Sequence, residues 1–205
     1  MAGNYDNSAS FYDGLSHLVF GTALMEAQSY FLPLIPAGSK ILIGGGGTGR
    51  ILEGISKVHP SGLRITYVEI SAKMIALSQK KDAGTNQVEF INKAIEDVKL
   101  PQDFDVIITP FLFDNYTAKT LPATFRHIHQ MLKPGGLWFN IDFQLTGKWW
   151  QAVLLKSMLL FFKVLCGVES WRLPDVQCEF DKFGYMLVET KLFYKDFVGT
   201  RMYKK

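Results

Sequence analysis

The chain has 205 residues, 48% of them hydrophobic and 20% charged, with a formal net charge of +3. That composition excludes a disordered chain, and 22 basic against 19 acidic residues leave no concentrated basic footprint for nucleic acid. Two cysteines, Cys166 and Cys178, are too few for a disulfide scaffold or a Cys-based zinc centre.

The first ten residues carry no Lys or Arg and no apolar core, so a secretory leader is not expected there. The longest apolar stretch, residues 149–168, is interrupted by Lys156 and Lys163 and falls short of a continuous apolar span of about 20 residues. These features set the expectation of a soluble, cytoplasmic protein with reduced thiols.

In chain order, residues 15–32 read as a helix or helix pair, stopped by Pro33 and Pro36. Residues 40–43 form a short apolar strand that runs into a glycine loop at 44–49, and residues 50–58 form the next helix. Residues 63–70 are a second strand. Ser71 is placed to cap a helix over 72–81. Residues 88–92 and 104–109 are strands; Val106, Ile107 and Ile108 form the continuous apolar run of a strand covered on both faces. Residues 121–132 form a helix with Pro122 in its first turn. Residues 133–136 read as a tight turn, and 137–143 as a fifth strand. A long apolar helix over 149–166 and a shorter one over 175–183 follow. Residues 185–194 and 197–203 are strands with so short a link that they must be antiparallel. The alternation predicts one α/β domain with a mainly parallel sheet and a closing antiparallel hairpin.

The sharpest chemical signal is the loop Gly44-Gly45-Gly46-Gly47-Thr48-Gly49 between strand and helix. Without Cβ atoms the backbone approaches a ligand closely, and the following helix directs free N–H groups toward it. Glu69 closes the next strand, twenty residues beyond Gly49, where a carboxylate accepts both hydroxyls of a ribose. The loop fits two registers. Gly44, Gly46 and Gly49 suit a dinucleotide, whereas Gly45, Gly47 and Gly49 suit S-adenosylmethionine.

On these residues the chain resembles class I S-adenosylmethionine-dependent methyltransferases of the ubiquinone/menaquinone biosynthesis type. Residues 41–49 resemble the first motif. Tyr67-Val68-Glu69-Ile70-Ser71 with Met74 resembles the acidic ribose motif. Residues 104–108 resemble the fourth strand, and Leu132-Lys133-Pro134-Gly135-Gly136 the turn before the fifth. Residues 5–13 resemble the N-terminal lid, with Tyr12 as its aromatic cover. The resemblance implies a Rossmann-like seven-stranded sheet with helices on both faces, a helical lid over 1–36, and an insertion over 147–174 as substrate wall or interface. It implies S-adenosyl-L-methionine as cofactor, held by Tyr12, Gly45, Gly46, Gly47, Thr48, Gly49, Glu69, Ile70, Met74, Ala94, Ile95, Thr109 and Pro110. Two positions depart from the family. Ile43 stands where an acid is usual, and Lys93 stands near a usual Asp.

Methyl transfer from a sulfonium needs a nucleophile placed in line and, for a protonated acceptor, a base. The candidates are Asp142 at the end of the fifth strand, and Asp114 and Tyr116 after the fourth; the competing reading of Asp114-Asn115 is a helix cap. His127 and His129, two apart on a helix, face differently and do not suggest a shared metal. The 149–166 helix has more apolar residues than one stripe needs, so it is buried or covers an apolar ligand. The expected substrate is a small apolar or aromatic molecule, and the same helix is a candidate for weak membrane association or a homodimer interface. An NAD(P)-dependent oxidoreductase and a non-catalytic cofactor-binding protein are the rival readings.

Overall fold

The computed structural model describes residues 5–7, 9, 11–167 and 170–205. Ser8 and Ser10 of the expected lid, and Val168 and Glu169 of the insertion, lie outside the described residues. The strands are β1 (Lys40–Gly44), β2 (Arg64–Val68), β3 (Gln87–Ile91), β4 (Phe104–Pro110), β5 (Leu132–Phe143), β6 (Met186–Phe193) and β7 (Val198–Lys204). The helices are α1 (Tyr12–Phe20), α2 (Ala23–Ser29), α3 (Arg50–Val58), α4 (Ala72–Ser78), α5 (Leu121–Met131), α6 (Trp149–Cys166) and α7 (Val176–Lys182).

The seven strands form one sheet in the order β3-β2-β1-β4-β5-β7-β6. Strands β1 to β5 pair in parallel, while β7 runs antiparallel to both β5 and β6. The expected Rossmann-like sheet and its terminal hairpin are therefore present. The order reverses between β1 and β4, and at such a switch point the loops after neighbouring strands part to leave a crevice.

Pleating decides which core each residue enters. Ile41, Ile43, Val106 and Ile108 face one side with Ile51, Leu52 and Ile55 of α3. Leu42 and Ile107 face the other, with Phe125 and Ile128 of α5 and Phe180 of α7. Both faces are covered, which is why the central strands are apolar without alternation. The second core is aromatic. Phe125 stacks on Trp138 at 4.9 Å, Phe180 meets Phe125 edge-on at 4.8 Å, and Phe180 stacks on Tyr203 at 3.6 Å.

One local reading is decided between its alternatives and another is corrected. The N-terminal helix breaks at Gly21, whose φ of 57° a longer side chain resists, so α1 and α2 are a pair. Residues 133–136 are not a free turn. They belong to the start of β5, where the register against β4 shifts, and Gly135 N–H donates to the Lys205 carbonyl at 3.0 Å. The pairing with the last residue holds the segment in the sheet.

Phe125 is fully buried between Trp138, Phe180 and Phe113. Phe125→Ala is expected to lower the unfolding free energy by about 3–5 kcal/mol, because the rigid aromatic neighbours cannot collapse into the void. Equilibrium denaturant unfolding measures it.

Candidate active site

The cavity lies at the carboxyl ends of the parallel strands and measures about 1370 Å³ with its open mouth. Each strand contributes its following loop. Gly45, Gly46, Gly47 and Thr48 follow β1; Glu69 and Ile70 follow β2; Lys93, Ala94 and Ile95 follow β3; Pro110, Phe111, Leu112, Asp114, Asn115 and Tyr116 end and follow β4. Tyr12 of α1, Met74 of α4 and Leu155, Met158, Leu159 and Phe162 of α6 close the remaining sides.

The glycine loop is shaped by what surrounds it. A Cβ on Gly46 would lie 2.2 Å from the Tyr67 ring, and one on Gly45 would lie 2.9 Å from Leu112. Tyr67 is fully buried and its hydroxyl donates to the Gly47 carbonyl at 2.9 Å, so the ring cannot retreat. Gly49, at φ 87°, packs against the Ser78 backbone and does not line the cavity; its expected contact with cofactor is replaced by close helix packing.

Glu69 ties the loop to the next helix. One carboxylate oxygen accepts from Gly47 N–H at 3.0 Å and the other from Ser71 N–H at 2.9 Å. Burial pushes this carboxyl up, and the N–H groups of Ser71, Gly47 and Ile70 hold it back. Ser71 caps α4 as expected, accepting from Met74 N–H at 3.1 Å.

Sequence reasoning missed two acids and an amide. Asp13 of α1 accepts from the Thr48 hydroxyl at 2.8 Å and pairs with Arg50 at 3.0 Å. Asp6 accepts from the Ser71 hydroxyl at 2.5 Å and from Lys73 N–H at 3.1 Å. They latch the N-terminal segment onto both loops of the cavity. Asn92 donates to the Glu69 and Ile70 carbonyls, each at 2.9 Å, and so ties the loop after β2 to the end of β3. A carboxylate that caps a distant helix leaves no spacing signal in the sequence.

Beyond β4 the backbone turns sharply at Phe111, whose φ of 51° is unusual for an aromatic residue and is held by its N–H bond to Ile141 at 2.7 Å. The bend carries Asp114 to the cavity wall, within the short turn Phe113–Asn115. The N-cap of α5 is Thr120, which makes no side-chain cap bond, and Asp114 Oδ1 instead accepts from Asn115 Nδ2 at 2.7 Å, so the helix-cap reading fails. Burial and the neighbouring charge of Asp142 push the Asp114 carboxyl well up. Asp142 is buried and raised to about 7, first by burial, against the Phe143 N–H and Arg201. Its Oδ1 accepts from Phe143 N–H at 2.9 Å, while Oδ2 is buried with no hydrogen-bond partner among the described residues.

Three further placements differ from expectation. Asp142 lines a second cavity, with Arg201 and Trp171, and stands behind Asp114. Thr109 is fully buried outside the main cavity, accepting from Trp138 Nε1 at 3.0 Å and donating to Asn140 at 2.9 Å, because the strand pleat turns it away. Tyr116 lines the cavity, but its hydroxyl donates to Glu96 at 2.8 Å. The remaining residues, Tyr12, Gly45, Gly46, Gly47, Thr48, Glu69, Ile70, Met74, Ala94, Ile95 and Pro110, all line it.

The donor set fits an adenosyl group. Each Glu69 oxygen keeps a second lone pair for a ribose hydroxyl, the loop exposes backbone at the head of α3, and Ile70, Met74, Ala94 and Ile95 offer an apolar wall for a purine.

Residues 41–136 match the family model of a methyltransferase domain. The chain is 29% identical over 165 residues to a ubiquinone/menaquinone biosynthesis C-methyltransferase of Rubrivivax gelatinosus, covering 80% of this chain and 62% of that one. It is 32% identical over 127 residues to a malonyl-[acyl-carrier protein] O-methyltransferase of Bacillus cereus, covering 61% and 44%. Its fold matches the Burkholderia thailandensis 1,6-didemethyltoxoflavin-N1-methyltransferase, solved with S-adenosylhomocysteine, at a TM-score of 0.66 and 14% identity, over 96% of this chain and 84% of the other. The chain thus spans about three fifths or less of these two curated relatives.

In its fold, its glycine loop and these matches the chain resembles the class I S-adenosylmethionine-dependent methyltransferases. Within that class the chain resembles the ubiquinone/menaquinone biosynthesis C-methyltransferases.

Gly46→Ala forces a Cβ into a ring that cannot move. It is expected to cost about 1–3 kcal/mol of stability and to weaken S-adenosylhomocysteine binding. Thermal unfolding and calorimetric titration of one preparation measure both.

Proposed function

We propose that the protein transfers a methyl group from S-adenosyl-L-methionine to a small apolar or aromatic molecule, with Asp114 as the base. The observation that carries this reading is the make-up of one cavity, with the glycine loop and Glu69 at one end, Asp114 at another wall, and the apolar α6 side chains Leu155, Met158, Leu159 and Phe162 beside them.

When bound, the cofactor supplies a methyl group already activated by its sulfonium charge. The chain's own work is positioning, exclusion of water and movement of one proton. Gly45 to Gly47 and Glu69 fix the adenosyl end. Tyr12 and Phe162, with ring centroids 5.9 Å apart, close the cavity from the lid and from α6. Burial together with Asp114, Asp13 and Glu69 keeps the Tyr12 phenol protonated, so it serves as a cover and not as a base.

Asp114 takes the proton from the acceptor. Two neighbouring buried carboxyls resist carrying two charges, so the pair retains a proton to higher pH than an ordinary carboxylate. A carboxylate raised well above its ordinary range suits a weakly acidic acceptor such as a phenol or an activated carbon.

Asp114→Asn is expected to lower kcat by about 10²–10⁴-fold while leaving S-adenosylhomocysteine affinity intact. The wild-type rate is expected to rise with pH above the ordinary carboxylate range, because burial and the Asp142 charge push Asp114 well up and its base form appears only as it loses its proton. Asp142→Asn removes the charge that raises Asp114, so the acid limb moves to lower pH. A rate independent of pH between the usual carboxylate range and neutrality contradicts the assignment.

A further inference from the structure

Helix α6 has two apolar faces. Gln151, Leu155, Leu159 and Cys166 are buried against the domain. The opposite stripe carries Trp149 at 78% exposure, Val153 at 56%, Leu160 at 53% and Val164 at 77%. These recur at intervals of four and seven residues and so share one face of the helix. A surface helix of a soluble domain ordinarily turns charged residues outward there. Phe11 of the lid, also exposed, meets exposed Phe161 at 6.4 Å and widens the patch.

The charge around this stripe has one sign. Residues 143–174 contain Lys148, Lys156, Lys163 and Arg172 against a single acid, Glu169. Lys148 is engaged with Asp196 at 2.8 Å, but Lys156 is exposed beside the stripe and Lys163 lies over the Trp171 ring at 4.0 Å. Trp149 and Trp171 stand exposed near the two ends of α6, the position indole takes at a bilayer interface. Apolar residues outward, flanked by lysines and ended by tryptophans, make the pattern of a helix lying in the plane of an anionic membrane surface.

A second feature gives the surface a purpose. An apolar slot of about 720 Å³ runs between α1 and α6, lined by Leu15, Val19, Leu154, Ser157 and Phe161. Exposed Ser157 and Phe161 put its mouth beside the outward stripe. At its inner end Tyr12, Leu24, Met158 and Phe162 belong to both the slot and the main cavity.

We infer that α6 docks on an anionic lipid bilayer through Trp149, Val153, Leu160 and Val164, and that the slot between α1 and α6 admits an apolar substrate from that bilayer to Asp114. The delivery half rests on the methyltransferase reading; the docking half does not.

The test is flotation of the full chain with vesicles of phosphatidylcholine, with and without phosphatidylglycerol. The same preparations are titrated with S-adenosylhomocysteine and run in sedimentation velocity. The wild type is expected to float with the anionic vesicles and to be released by raised salt. Lys156→Gln with Lys163→Gln is expected to lower that partitioning about twenty-five-fold, roughly five-fold per lysine. Leu160→Ser with Val164→Ser is expected to lower it by at least about ten-fold. Both pairs lie outside the main cavity and leave cofactor affinity unchanged. Wild-type protein that ignores both kinds of vesicle overturns the docking. So does a dimer that Leu160→Ser with Val164→Ser dissolves, since a second copy then covers the face. Vesicle binding without S-adenosylhomocysteine binding leaves the docking standing and overturns delivery together with the proposed function.

Discussion

The site depends on one carboxylate with two jobs. Glu69 accepts backbone N–H groups from the glycine loop after β1 and from the head of α4, so two loops that diverge at the sheet's switch point are held in one relation. The residue is buried at the cavity wall, where an ionised carboxylate persists only because those N–H groups compensate lost hydration. The carboxylate is thus held in one position by backbone groups of both loops. Asn92 and the two lid acids, Asp13 and Asp6, extend the same network to β3 and to the N-terminal segment.

The opposite wall is built on different physics. Asp114 reaches the cavity because the chain bends at a strained Phe111, and Asp142 stands behind it with one oxygen left unpaired. Strain and a buried polar atom with no hydrogen-bond partner among the described residues both cost stability, and they sit together at the carboxyl ends of the neighbouring strands β4 and β5. The cofactor side is satisfied and rigid, while the Asp114 side stores the unfavourable terms. Helix α6 completes the enclosure with the apolar side chains of Leu155, Met158, Leu159 and Phe162.

Much of the fold was legible because its signals are local. The period of β-branched runs, the prolines and the Ser71 cap all act within a few residues, and α3 and α6 fall where the pattern puts them. The glycine loop and Glu69 were legible for the same reason. What escaped reading depends on pleat or on distance. Thr109 and Pro110 are neighbours, yet only Pro110 lines the cavity, because a strand turns successive side chains to opposite faces. Asp142 faces the second cavity, although its position at the end of β5 placed it among the site candidates. The Asp13 latch joins residues 35 apart in the chain, and Gly135 becomes part of β5 only because the last residue pairs with it.

The central claim is that a loop clamped by Glu69 makes an S-adenosylmethionine site. Calorimetric titration with S-adenosylhomocysteine, on the wild type and on Glu69→Ala, tests it most directly. The account predicts saturable one-to-one binding to the wild type and an affinity weaker by about 1.5–3 kcal/mol in the variant, the worth of a charged hydrogen bond. Absence of binding to the wild type, or equal affinity in both proteins, contradicts it.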